Sequence, residues 1–158
     1  MFDIRRPVEL TTFSDIPAGT GLGSSSAFSV GLINALHAMR GHRVTKHTLA
    51  TEAVTLELDI LKRQMGKQDH FAAAYGSFNV YTFNADETVQ IEPVHYDQDV
   101  VAELDRSLML FYMGTQRDAS QVLEAQAAAS GEKEQVLTAM QALVDPMVEI
   151  LSGRGSVA

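Results

Sequence analysis

The stretch Pro17-Ala18-Gly19-Thr20-Gly21-Leu22-Gly23-Ser24-Ser25-Ser26-Ala27 limits what this chain can fold into more than any other. Glycines at 19, 21 and 23 lack a Cβ, so the backbone there can take left-handed φ and come close to a ligand. The serines fall where a helix would leave its first amides unpaired. Unpaired N–H groups at the positive end of a helix dipole favour an anion, and a phosphate suits both. A Walker loop is excluded, because Ser24 rather than Lys follows Gly23, and Gly66-Lys67 lacks the earlier glycine and a following hydroxyl. A dinucleotide fingerprint is excluded too, since Ser24 or Ser26 stands where its third glycine belongs. A tight turn with serine helix caps would use the same residues, and the string alone leaves both readings open.

Periodicity around the string predicts how it is held. Residues 8–13 read as a strand leading into it, and Phe28, Leu32, Ala35, Leu36 and Met39 recur at helical spacing until Gly41, a terminator. Thr45 reads as the N-cap of a second helix with Leu49, Ala53, Leu56 and Ile60 as its buried stripe, ended by Gly66. Residues 75–83 and 88–94 read as strands joined by a turn at 84–87, and residues 108–113 as a buried strand. Residues 119–129 and 132–151 read as helices, with Pro146 forcing a kink or restart near 144–146.

Composition and charge narrow the partners. With 46% apolar and 20% charged residues, 158 residues suit a soluble globular domain. Twelve basic against twenty acidic residues give a net charge of −8, which argues against nucleic acid or an anionic membrane as partner. Cysteine is absent, so disulfides and thiolate metal sites are excluded, in keeping with a cytoplasmic setting. No signal peptide or apolar run of membrane-spanning length is legible.

The pattern Pro-x-x-x-Gly-Leu-Gly-Ser-Ser-x-Ala resembles the phosphate loop of the GHMP kinases, the galactokinase, homoserine kinase, mevalonate kinase and phosphomevalonate kinase superfamily. Gly66-Lys67-Gln68-Asp69-His70-Phe71-Ala72-Ala73-Ala74-Tyr75-Gly76-Ser77-Phe78-Asn79 is similar to the acceptor-side segment of its heptose 7-phosphate kinase branch. Phe13-Ser14-Asp15-Ile16-Pro17 and Leu110-Phe111-Tyr112-Met113-Gly114-Thr115-Gln116-Arg117-Asp118-Ala119-Ser120 also look like that branch. The resemblance implies an α+β fold of GHMP type. Residues 1–114 would form part of a ribosomal-protein-like N-terminal domain, and residues 115–158 would begin a helical C-terminal domain.

The resemblance also implies chemistry: transfer of the ATP γ-phosphoryl group to a heptose 7-phosphate-like acceptor, or alternatively to galactose or mevalonate. Gly19, Thr20, Gly21, Leu22, Gly23, Ser24, Ser25 and Ser26 would hold the ATP phosphates. Ser25 and Glu57 would ligate Mg²⁺, which takes one or two carboxylates together with phosphate oxygens and water. Asp69 would approach the acceptor hydroxyl as base or orienting group. Lys67, His70 and Arg117 would lie near the sugar phosphate, with His70 standing where the branch carries glutamine. Each has a plainer reading: Glu57 as a solvated helix residue, Asp69 as a helix cap, His70 as a surface histidine, and Lys67 and Arg117 as solvated cations.

GHMP kinases begin with a strand-rich acceptor segment and end with a second glycine-rich motif, and neither is legible between residues 1 and 158. The chain therefore reads as the middle of a longer kinase, expected to work as a homo-oligomer or with a complementing chain. A catalytically silent nucleotide-binding or interaction module is the alternative.

Overall fold

The computed structural model describes residues 2, 4, 5, 7–15, 20–111 and 134–155. Its contacts divide the chain into two compact units, residues 1–75 with 115–122, and residues 76–114 with 123–158.

The first unit is built from three helices. Helix α1, Ser24–Met39, starts as the loop ends and stops before Gly41, whose φ of 76° gives the left-handed turn expected of a terminator. Helix α2, Lys46–Val54, is capped as expected by Thr45, whose hydroxyl accepts the Thr48 N–H at 3.0 Å. It runs on into a π-helical segment, Thr55–Ile60. Such segments occur mostly as single wide turns and often mark functional sites. Helix α3, Gln68–Tyr75, completes the unit.

Val30, Ile33, Leu49 and Ala53 form the core, with Phe2, Val44, Leu56 and Ala74 packed against it. Ser29 pairs with Glu57 and His37 with Glu52, so α1 and α2 run antiparallel. The buried face of α1 is not the expected one: Ser26, Ser29, Val30 and Ile33 face inward, while Phe28 and Met39 are exposed. Because α1 is apolar nearly all round, periodicity could not choose its inner face, and the serine bonds to Glu57 did. Ile60, expected in the α2 stripe, is exposed because the wide turn shifts the register, and the helix ends there rather than at Gly66.

In the second unit, β1 (Asn79–Phe83) pairs antiparallel with β2 (Val89–Pro93), with Tyr81 opposite Ile91. The turn at 84–87 forms as expected. Asp86 Oδ1 accepts from the Thr88 N–H at 3.0 Å and its hydroxyl at 2.6 Å, which holds the exposed Asp86 carboxyl below its ordinary pKa. The strand starts at Asn79 rather than Tyr75, because Gly76 and Ser77 both take positive φ, 63° and 60°, after α3. Helix α4 (Gln98–Ser107) follows, then α5 (Glu134–Gln141) and α6 (Val144–Leu151). The break between α5 and α6 places Pro146 in the first turn of a new helix, where its missing N–H costs least.

Two expected strands do not form among the described residues. Residues 8–13 and 108–111 have no regular structure and find no strand partner among the described residues. Residues 112–113, and the helix expected over 119–129, lie outside the described residues.

Candidate functional site

The site is assembled within the first unit, where the loop enters α1. Gly23 occupies the N-cap position with φ 67° and ψ 18°, and no side chain caps the helix. No acidic residue stands in its first turn. Gly21 is also left-handed, at φ 76°. The amides of Ser24 and Ser25 are therefore left to solvent or a ligand, at the positive end of a 16-residue helix. The hydroxyls of Thr20 and Ser26 are buried and have no hydrogen-bond partner among the described residues. A buried hydroxyl without a partner is costly, and both hydroxyls could accept or donate a hydrogen bond to a ligand at the loop.

Glu57 is the pivot. It is completely buried, at 0% exposure, because it continues the Leu49 and Ala53 face of α2 into the π-helical turn. Burying a carboxylate costs several kcal/mol unless hydrogen-bond donors and a counter-charge replace the lost water (about this much per ion). Ser25 Oγ donates to its two oxygens at 3.2 and 3.0 Å, and Ser29 Oγ donates to Oε1. Arg63 Nη1 lies 3.5 Å from Oε2 and also donates to Ser25 Oγ.

Asp69, in the first turn of α3, lies against the loop: a Cβ on Gly23 would sit 3.3 Å from its Cγ and Oδ2. Glycine at 23 thus serves both the positive φ and the close approach of this carboxylate.

His70 is fully buried, with Nε2 3.9 Å from Glu57 Oε1. Neither ring nitrogen meets a partner at hydrogen-bonding geometry among the described residues. Burial pushes its pKa below the ordinary histidine value, against an opposing pull from the Glu57 charge.

One comparison with known proteins decides the family. Residues 1–77 match the GHMP kinases N terminal domain. This part of the chain is a GHMP kinase N-terminal domain. The chain is 30% identical over 141 residues to a D-glycero-alpha-D-manno-heptose 7-phosphate kinase of Campylobacter jejuni, a match covering 89% of this chain and 41% of that protein. A galactokinase of Pyrococcus furiosus is 29% identical over 104 residues, covering 66% of this chain and 28% of that one. The fold also matches a crystallised sugar-kinase candidate from Campylobacter jejuni. The TM-score is 0.54 at 24% identity, with 89% of this chain and 43% of that one covered. The chain thus spans less than half the length of each. The GHMP resemblance and the α+β fold it implied are both met.

Within the GHMP domain the expected residues land as follows. Thr20 to Ser26 form the loop and helix start, and Gly19 lies outside the described residues, as does Arg117. Ser25 and Glu57 are in contact, and Asp69 adjoins Gly23. Lys67 is half-buried just before α3. His70 presents no surface to a ligand, and its ring faces Glu57. Arg63 was not legible from the sequence, where it is one cation in an irregular segment without periodic pattern.

The donor set fits a divalent cation of modest demand. One carboxylate and one hydroxyl oxygen converge, leaving other positions for phosphate oxygens and water, as Mg²⁺ prefers. Among the described residues no cluster of three or more acidic or histidine side chains could hold a metal by itself. Any such ion would depend on a ligand's phosphates. No helix among the described residues is long and apolar enough to cross a membrane.

Proposed function

We propose that the chain carries the phosphoryl-transfer site of an ATP- and Mg²⁺-dependent sugar kinase, acting on a heptose 7-phosphate-like acceptor in the cytoplasm. The observation that supports this best is the convergence of the loop, the Ser25 and Glu57 oxygens and the Asp69 carboxylate within one unit.

In this reading the unpaired amides at the start of α1 bind and orient the ATP phosphates. Charge neutralisation and positioning are most of what phosphoryl transfer requires. Ser25 Oγ and Glu57 would hold Mg²⁺, which when bound supplies positive charge to the phosphates. The acceptor oxygen forms a bond to the γ-phosphorus as the bridge to the β-phosphate breaks, and ADP leaves. Asp69 orients the acceptor hydroxyl and takes its proton. Lys67 and Arg117 are assigned to the acceptor's phosphate, and His70 supports Glu57 from behind rather than touching the acceptor.

A second reading has its own support. The chain covers only 41% of the heptose kinase it resembles, and its second unit exposes Leu108, Met109, Leu110 and Phe111. It is a nucleotide-binding module that needs another copy of itself or a complementing chain to turn over. The galactokinase match keeps galactose as an alternative acceptor.

The test is ADP release from ATP by the purified chain with heptose 7-phosphate, galactose and mevalonate, beside Asp69→Asn. Turnover with the heptose phosphate, reduced at least a hundredfold in the variant, is expected of the first reading. Equal turnover by the variant refutes the role given to Asp69. ATP binding without turnover by the parent favours the module, and a stable monomer in light scattering removes its partner.

A further inference from the structure

We infer that Arg63 is a phosphate-contacting residue of this site, an extension of the anion-binding surface beyond the loop. The inference rests on the nucleotide reading above and adds to it a residue with no loop-motif signature.

Three observations place this guanidinium by construction rather than by chance. Lys62, the preceding residue, takes φ of 53°, a left-handed conformation uncommon for a non-glycine residue. The Arg63 N–H then donates to the Glu57 carbonyl at 2.9 Å, so the chain is folded back onto the π-helical turn. The side chain continues in the same direction, with Nη1 donating to Ser25 Oγ and lying 3.5 Å from Glu57 Oε2. Backbone and side chain of Arg63 are thus fixed to the same residue, and the head group is delivered to the first turn of α1.

The head group has capacity left. A guanidinium carries five N–H donors in a planar fork, and only Nη1 is engaged among the described residues. The side chain is 53% exposed while the Glu57 side chain is 1% exposed, so Arg63 is accessible to a ligand where Glu57 is not. The planar fork matches two phosphate oxygens, which a lysine's ammonium engages only as a point charge. The ligand class is a nucleoside triphosphate, recognised through its phosphates rather than its base.

This arrangement sets the sign of a metal dependence. Ser25 and Glu57, if they held a divalent cation, would bring the same kind of charge neutralisation to the same phosphates. Arg63 therefore contributes most when the metal is absent.

The experiment is calorimetric titration of the full chain with ATP in EDTA, with ATP in saturating Mg²⁺, and with adenosine. Parent, Arg63→Gln and Arg63→Lys are compared after circular dichroism confirms folding. The expected result is about a tenfold weaker ATP affinity for Arg63→Gln in EDTA, the size of one charge-assisted contact. A smaller loss is expected in Mg²⁺, an intermediate one for Arg63→Lys, and no change for adenosine. Equal ATP affinity of parent and Arg63→Gln in EDTA overturns the assignment while leaving the nucleotide reading intact. An equal loss for adenosine shows a structural effect and overturns it as well. Failure of the parent to bind ATP under either condition refutes the nucleotide reading and this assignment with it.

Discussion

The two compact units of this chain use burial in opposite ways. In the first, the described residues bury Val30, Ile33, Leu49, Ala53 and Phe71 around a charged centre, with Glu57 and His70 both at 0% exposure. In the second, Leu151 is the buried apolar residue among those described, while Met140, Leu143 and Met147 stay largely exposed around an open apolar cavity of about 350 Å³. One unit spends its interior on holding polar groups in fixed places, and the other leaves apolar surface outside. Fixed polar groups are what chemistry needs, so the site belongs to the first unit.

Core truncation should expose this contrast most strongly. Ile33→Ala removes methylenes from a residue 1% exposed and is expected to destabilise by about 2–5 kcal/mol. Leu137→Ala, at a residue 55% exposed, should change stability by less than about 0.5 kcal/mol. Urea denaturation followed by circular dichroism measures both, and similar losses would mean that the second unit packs as tightly as the first.

A charge substitution probes the polar centre more finely. Glu57→Gln keeps the shape but replaces an acceptor-only group that receives the Ser25 and Ser29 hydroxyls. A loss of about 1–3 kcal/mol is expected, from buried donors left poorly matched. Glu92→Gln on the exposed hairpin should cost almost nothing. Unchanged melting of Glu57→Gln would show that the carboxylate is not the organising group.

Much of this contrast was open to reading from the sequence, for identifiable reasons. The loop, the start of α1 and the Thr45 cap depend on local chemistry, glycine and hydroxyl at fixed offsets, and they stand where expected. The contact of Ser25 with Glu57, 32 residues apart, came from the family resemblance and not from any periodicity. Residues 8–13 and 108–111 have strand-like composition, but strand preference is realised only against a neighbour, and none pairs with them among the described residues. The π-helical turn has no local signature, so neither the burial of Glu57 nor the return of Arg63 toward Ser25 was legible. His70 reads from the sequence as an acceptor contact or a surface histidine, whereas it is fully buried, because one step along a helix turns the side chain by about 100° from the Asp69 direction.

The smallest expected effect concerns that histidine. Burial lowers the His70 pKa in the folded state, so the unfolded chain binds the proton more readily. The contribution is complete above the ordinary histidine value, and stability is lost as pH falls from there toward the depressed folded value. Melting temperature should therefore drop through that acidic window, and His70→Gln should remove part of the slope. A slope identical in His70→Gln would assign the acid sensitivity to other groups.

The central claim, a nucleotide site built wholly in the first unit, is tested most directly by amide hydrogen exchange with and without Mg²⁺·ATP. The account predicts slower exchange at residues 20–26 and around Glu57, with β1 and β2 unchanged. Unaltered exchange in the loop, or protection confined to the hairpin, would contradict it.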